Sequence, residues 1–412
     1  GMNSTDVPTI TIDLPETTSD ISGADMTTTA NDSVWTYTLS LLDNIDGTVA
    51  VTVDGTDNAG NALLTGSTTG SQILRIDNTD PSFTSVSPDT GDFVNHKNLG
   101  WILSEDLLSG TAAFNRVDGP GSSVTVSLTG SELAGGSRTA TVLTNDPSLV
   151  DGTTYDLVLR GVDSAGNTGS VTVSDVTYDT TGVTVDSLVY SKNPVKPGDS
   201  LSILAYFSEI VPSAPSVSIE WPALTTEAVS LDSSVGGSLT LWTGSVEVPT
   251  TSGIAKVTPS GRDRADNGIV AILGKTTLYD STLVIDNGAP TCTFVYENLS
   301  QDQLVNMGKG DDVVRVTAQF DEPVDASPTP TLSVQYGDST EDSFEGLSPQ
   351  SSADDDSTWV FQFTLPDSSK NDGKMALTIT AEDLAGNLVG TLVDSQGFEL
   401  DNTPPAAFAT GG

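Results

Sequence analysis

Four five-residue segments of this chain begin with aspartate and end with asparagine: Asp57-Asn58-Ala59-Gly60-Asn61, Asp163-Ser164-Ala165-Gly166-Asn167, Asp263-Arg264-Ala265-Asp266-Asn267 and Asp383-Leu384-Ala385-Gly386-Asn387. Each is followed by a second acidic segment: Asp77-Asn78-Thr79-Asp80-Pro81, Asp179-Thr180-Thr181-Gly182, Asp286-Asn287-Gly288-Ala289-Pro290 and Asp401-Asn402-Thr403-Pro404-Pro405. Aspartate, asparagine and glutamate gathered in one place are hard oxygen donors. Ca2+ takes about six to eight such ligands in flexible geometry, whereas Mg2+ prefers few carboxylates and keeps its waters. Without a cation the same carboxylates repel one another. The segments are also good turn formers, because Asp and Asn bond their own backbone and Pro fixes φ. Ala-Gly-Asn likewise supplies the left-handed positions of a tight hairpin. Cation ligation and turn formation both stand as readings of these residues.

The first aspartate recurs at 57, 163, 263 and 383, roughly every hundred residues, which is the mark of tandem domains of one kind. A 412-residue chain accommodates two to four domains, and the repeats select four. The expected division is 1–80, 81–181, 182–288 and 289–405, with 406–412 a tail or linker. Acidic residues number 56 against 15 basic ones, for a net charge of −41. That balance disfavours nucleic acid as a partner, since phosphates would be repelled, and disfavours anionic lipid. It fits cation binding, and it equally fits life in high salt. Cys292 is the single cysteine, so the chain holds neither an internal disulfide framework nor a zinc ligand set. No apolar run is long enough for a membrane-inserted helix.

The elements that must position the acids read as strands. Val314, Val316, Ala318 and Phe320 alternate with polar neighbours, as do Trp359, Phe361, Phe363 and Leu365, and Met375, Leu377, Ile379 and Ala381. Period-two burial of this kind, broken by turns such as Lys309-Gly310-Asp311 and Asn371-Asp372-Gly373, predicts an all-β chain. About seven strands per hundred residues predicts immunoglobulin-like antiparallel β-sandwiches, here in tandem as an elongated array. The third unit can be laid on the fourth: Lys196-Pro197-Gly198-Asp199 on Lys309-Gly310-Asp311, and Tyr206-Phe207-Ser208-Glu209 on Gln319-Phe320-Asp321-Glu322. The first unit matches only from Pro8 onward and lacks the first two strands, so it is expected to be the least stable. The second, with Trp101-Ile102-Leu103-Ser104-Glu105, reads as a variant subtype.

The Lys-Gly-Asp turn, the Phe-Ser-Glu strand end, Asp-x-Ala-Gly-Asn and the terminal Asp-Asn-Thr-x-Pro, in that order, resemble the bacterial Ig-like repeats of large cell-surface adhesins. The likeness covers nearly the whole chain. It departs where Asp266 replaces the glycine of the third loop and where Asp179-Thr180-Thr181-Gly182 lacks both Asn and Pro. The resemblance implies an extracellular, non-enzymatic protein, often calcium-dependent.

In such a sandwich the loop after the second strand and the loop between the last two strands lie at the pole where the chain enters. Three elements should therefore converge at each junction. The candidate metal ligands are Asp77, Asn78 and Asp80 with Glu105 and Asp163, then Asp179 with Glu209 and Asp263, then Asp286 and Asn287 with Glu322 and Asp383. The Lys-Gly-Asp turn belongs at the opposite pole and reads as a turn only. Catalysis finds little support. His96 is the only histidine and reads as an exposed loop residue, and Cys292 sits in a strand with no base near it in sequence. Trp35, Trp242 and Trp359 share a register and read as core anchors, leaving Trp221-Pro222 as the better candidate for an exposed aromatic contact. The expected role is a spacer segment of a bacterial surface or secreted protein, with Ca2+ stiffening its joints and further Ig-like domains as neighbours. The alternatives are a module that binds a glycan or a cell-surface protein, and an accessory region of a secreted carbohydrate-active enzyme.

Overall fold

The computed structural model describes residues 6–15, 20–28, 34–40, 45–64, 74–301, 306–337, 339–352, 356–390 and 397–407 of the 412. Residues 408–412 of the expected tail lie outside them. The fold is all-β, a series of immunoglobulin-like sandwiches in two compact units, Gly1–Thr181 and Gly182–Gly412. Among the described residues only short 3-10 turns interrupt the strands, and no helix is long and apolar enough to cross a membrane.

The second unit shows why these sequences pair as they do. In its C-terminal sandwich, Val313–Phe320 lies between Cys292–Asn298 and Thr358–Thr364, with Ser351–Ser352 at the edge. The facing sheet runs Met307–Gly308, Glu399–Leu400, Gly373–Thr380, Thr331–Tyr336, Ser339–Leu347. Alternate residues of the central strands turn inward, so Val316, Phe361, Leu332 and Leu377 are fully buried in one core. Side chains of opposite parity face water, which is the half-buried strand pattern. The N-terminal sandwich of the same unit repeats the plan. Ser200–Phe207 is flanked by Val183–Tyr190 and Leu241–Glu247, and Ser216–Glu220 by Thr226–Ser230 and Lys256–Ser260, around a core that holds Trp221 and Trp242.

In the first unit, the sandwich from Phe83 to Tyr178 has a five-stranded sheet centred on Ser109–Asp118 and Thr153–Val162. A three-stranded sheet centred on Asn98–Leu103 packs against it, with Trp101, Tyr155 and Leu157 buried between the two. Ahead of it stands a smaller element. Thr9–Asp13 pairs with Ile21–Asp25 and Gly47–Asp54, and the latter with Leu74–Ile76. Among the described residues its core holds six buried side chains, all from this sheet and its loops, and the remaining pairings are Thr27–Thr28 with Trp35–Thr36 and the single bridge between Thr56 and Ala62. Val51 stands opposite the buried Ile12 yet is 46% exposed.

The tryptophan readings divide. Trp242 and Trp359 are buried and equivalent down to their hydrogen bonds: each indole N–H donates to the carbonyl three residues before it, Leu239 at 3.1 Å and Asp356 at 2.9 Å. Trp35 is only half-buried and lies outside the first core, in the short pairing with Thr27–Thr28. Trp221 is buried and donates to Glu227, which removes it as an exposed aromatic contact. His96 is exposed in its loop. Cys292 is buried, and burial pushes its thiol up to about 12, so it holds its proton at neutral pH.

Candidate metal centre

Each Asp-x-x-x-Asn loop is built by its own first and last residues. In the loop after Thr153–Val162, Asp163 Oδ1 accepts the backbone N–H groups of Ala165 at 2.8 Å, Gly166 at 2.7 Å and Asn167 at 2.9 Å. Asp163 Oδ2 accepts Asn167 Nδ2 at 2.7 Å. Burial alone would raise the Asp163 carboxyl; the bonds from Asn167, Gly166 and Ala165 outweigh it and hold the group below its ordinary range. Asp383 and Asp263 take the same two bonds from Asn387 and Asn267. So does Asp57 from Asn61. The turn needs a left-handed residue at its fourth place: Gly166 and Gly386 supply it, and so does Asp266 at φ 70°, a residue type that tolerates that region.

The asparagine has a second task. Asn167 Nδ2 also donates to the Asp77 carbonyl at 3.0 Å, and Asn387 Nδ2 to the Asp286 carbonyl at 3.0 Å. The last loop of one sandwich is thereby pinned to the linker arriving from the sandwich before it. The linker is fixed from its own side too. Asn78 donates from its backbone to Asp46 Oδ1 at 2.6 Å and from its side chain to the Ile45 carbonyl at 3.0 Å, and Thr79 Oγ1 donates to Asp46 Oδ2. Asp372 receives Asn402 and Thr403 in the same way, and Asp151 receives Thr180 and Thr181. Bonds from the threonine hydroxyls, with support from the backbone, hold Asp46, Asp151 and Asp372 below the ordinary aspartate range. In the third linker Asn287 donates its backbone N–H to Ser252. These acceptors escaped the sequence reading, although a signal exists. Asp46-Gly47, Asp151-Gly152, Ser252-Gly253 and Asp372-Gly373 each stand at or just ahead of the strand that leads to the Asp-x-x-x-Asn loop.

Within each unit a cluster of carboxylates results. Asp77 from the linker, Glu105 from the turn after Asn98–Leu103, and Asp163 each offer an oxygen, and the three oxygens lie within 4.8 Å of one another. Asp286, Glu322 and Asp383 do the same in the second unit. The aspartate of each loop is buried, and the other two are half-buried. Asp77 and Asp286 each spend one oxygen on a linker N–H, from Thr79 at 3.3 Å and Gly288 at 2.8 Å. Asp80 stands aside from the cluster and accepts the Thr168 N–H at 3.2 Å. Among the described residues no hydrogen-bond donor or basic side chain meets Glu105 or Glu322. Burial, then Asp77, Asp163 and Asp46, push the Glu105 carboxyl up; burial, then Asp286, Asp383 and Asp321, do so for Glu322. Three acids held together by bonds that satisfy only part of them could hold a metal ion.

Of the remaining candidates, Asp179 lies in the first unit, where its backbone N–H donates to Val94 and its side chain accepts the Thr181 N–H at 3.1 Å. Glu209 and Asp263 lie in the second, Glu209 half-buried after Ser200–Phe207 and Asp263 buried in its loop.

No family model and no curated protein matches the sequence. Solved structures do. Sidekick-1 immunoglobulin domains 1–5 are 12% identical, with 93% of this chain and 72% of that one covered and a TM-score of 0.32. The chicken CNTN1 FN1-FN3 domains are 12% identical over 64% of this chain and 92% of that one, with a TM-score of 0.25. The Bacteroides ovatus mixed-linkage glucan utilization locus protein SGBP-B, in complex with a mixed-linkage heptasaccharide, is 16% identical over 79% and 71%, with a TM-score of 0.17. At TM-scores of this size the fold rests on the strand topology itself.

Proposed function

We propose that the chain is a non-enzymatic extender segment of a bacterial surface or secreted adhesin-like protein, in which Ca2+ stiffens the joints between consecutive sandwiches. The sandwiches are read as 1–80, 81–181, 182–288 and 289–405, with 406–412 a tail. The neighbours implied are further Ig-like domains in a longer parent and, at its working end, a glycan or a cell-surface protein. The observation that carries the reading is the pair of glutamates. Turn chemistry accounts for Asp163 and Asp383, whose oxygens take N–H groups of their own loops. It does not account for Glu105 and Glu322, each placed against two aspartates with no donor among the described residues. A divalent cation neutralises such a group and completes its coordination with loop carbonyls and water.

The second reading is that these acids only form turns. The Asp57 loop favours it, because the same bonds form there without a three-carboxylate cluster among the described residues. Small-angle X-ray scattering in Ca2+ and in chelator separates the two. A maximum dimension that is sharp in Ca2+ and broad in chelator supports cation-stiffened joints. Superimposable profiles would leave turn formation as the whole role of the acids.

A further inference from the structure

The joint within the second unit carries something the joint within the first does not. Between Val183–Tyr190 and Ser200–Phe207 the chain runs through Lys192-Asn193-Pro194-Val195-Lys196, and this ribbon is fastened to the strand that becomes the linker. Asn193 clips it by both ends of its amide, Nδ2 donating to the Thr282 carbonyl at 2.8 Å and Oδ1 accepting the Val284 N–H at 2.9 Å. Val195 then exchanges backbone bonds with Val284 and Asp286. The two lysines are therefore held in fixed relation to the linker. Their ammonium groups reach across to the next sandwich: Lys192 Nζ donates to the Ala385 carbonyl at 2.7 Å, and Lys196 Nζ to the Gly386 carbonyl at 3.1 Å.

The receiving loop is shaped for them. Ala385 and Gly386 are buried, whereas Ala165 and Gly166 in the equivalent loop of the first unit are exposed. A Cβ on Gly386 would lie 2.9 Å from Lys192 Nζ, while at Gly166 it would meet nothing within 4 Å. Among the described residues no basic side chain is bonded to the 163–167 loop. The acceptors are backbone carbonyls, whose partial charge is fixed at any pH and does not depend on a cation. Bonds from a charged donor to such carbonyls are stronger than neutral ones.

We infer that Lys192 and Lys196 are a built-in latch that closes the joint between the sandwiches of the second unit without any cation. The Lys-Gly-Asp turn is thus a joining element as well as a turn. The two joints answer differently to chelation: the first, held by its carboxylate cluster, the Asn167 pin and the Asp80–Thr168 bond but by no lysine, loosens, and the second stays closed. The contrast rests on the calcium reading; the latch itself does not.

Double electron–electron resonance on the full chain tests it. In a Cys292→Ser background, spin labels at Thr226→Cys and Gln362→Cys span the second joint, and labels at Thr52→Cys and Thr125→Cys span the first; all four positions are exposed. In chelator the second pair gives a narrow distance distribution, and Lys192→Ala with Lys196→Ala broadens it. Each lost bond raises the open fraction on the order of ten-fold. Unchanged melting curves show that the variant is folded, since both lysines lie outside the cores. The latch is overturned if the double variant keeps the narrow distribution, or if the unsubstituted chain is already as broad in chelator as the variant. The first pair serves the other reading: a distribution there that ignores Ca2+ sinks the calcium reading and leaves the latch standing.

Discussion

Glu105→Gln changes one charge and almost no volume, and its effect should reverse sign with Ca2+. The oxygens of Asp77, Glu105 and Asp163 lie within 4.8 Å of one another. Two unit charges at that separation repel by about 3.5 kcal/mol at an effective dielectric of about 20. Glu105 faces two of them, a gross repulsion of about 7 kcal/mol. Glu105 and Asp77 are only half-buried, and exposed pairs typically retain about 1 kcal/mol or less, so the net relief is about 1–2 kcal/mol. In chelator the glutamine should therefore slow opening of the 163–167 loop by roughly 5- to 30-fold. With Ca2+ at a hundred times its dissociation constant, the unsubstituted joint gains about 2.7 kcal/mol, and the variant, short of one charged ligand, loses most of that gain, which outweighs its relief of about 1–2 kcal/mol. Hydrogen exchange at the amides of Ala165, Gly166 and Asn167, all bonded to Asp163, reads the loop directly. Slower exchange in chelator combined with faster exchange in Ca2+, each relative to the unsubstituted chain, is the expected pattern. An effect of the same sign in both conditions refutes the reasoning.

Three further outcomes follow from the same geometry. Asn167→Ala and Asn387→Ala each lose the bond to their own aspartate and the one to the linker carbonyl. Each should destabilise its joint by about 1–3 kcal/mol in denaturant unfolding, against a smaller cost for Asn61→Ala, whose amide among the described residues meets only Asp57. On acidification, Asp46, Asp151 and Asp372 are held below their ordinary value of 3.8, so the stability they add is present above pH 3.8 and is lost as pH falls through their depressed values. Glu105 and Glu322 act oppositely: their penalty is absent below the ordinary 4.5 and grows as pH rises through the window just above it. Melting temperature in chelator should therefore fall across that window and recover with Ca2+. Trp101→Phe should change stability by only about 1 kcal/mol in calorimetry, because it removes a buried indole N–H with no partner among the described residues. Trp242→Phe and Trp359→Phe lose a made bond and should cost more.

Much of the fold is legible in period-two alternation. Val314, Val316, Ala318 and Phe320 face one core because successive strand residues face opposite ways, and no long-range information is needed to see it. The meeting of linker, inner turn and last loop is also readable, because Ig-like strand order places them at one pole. The pins are not readable. Asn167 finds the Asp77 carbonyl and Lys192 the Ala385 carbonyl, and a backbone carbonyl carries no residue-type signature. Lys196, in the Lys-Pro-Gly-Asp turn, looks like a turn residue because only the partner sandwich reveals what it reaches. Trp35 shares its register with Trp242 and Trp359, but register does not show that it stands half-buried outside the core.

The central claim is that the glutamate-bearing clusters bind calcium, and calorimetric titration of CaCl2 into the chelator-treated full chain at physiological salt tests it most directly. The account predicts saturable binding whose stoichiometry falls by one with Glu105→Gln, by one with Glu322→Gln, and by both together in the double variant. Heats that never saturate, or a stoichiometry indifferent to both substitutions, would contradict it and return these acids to the forming of turns.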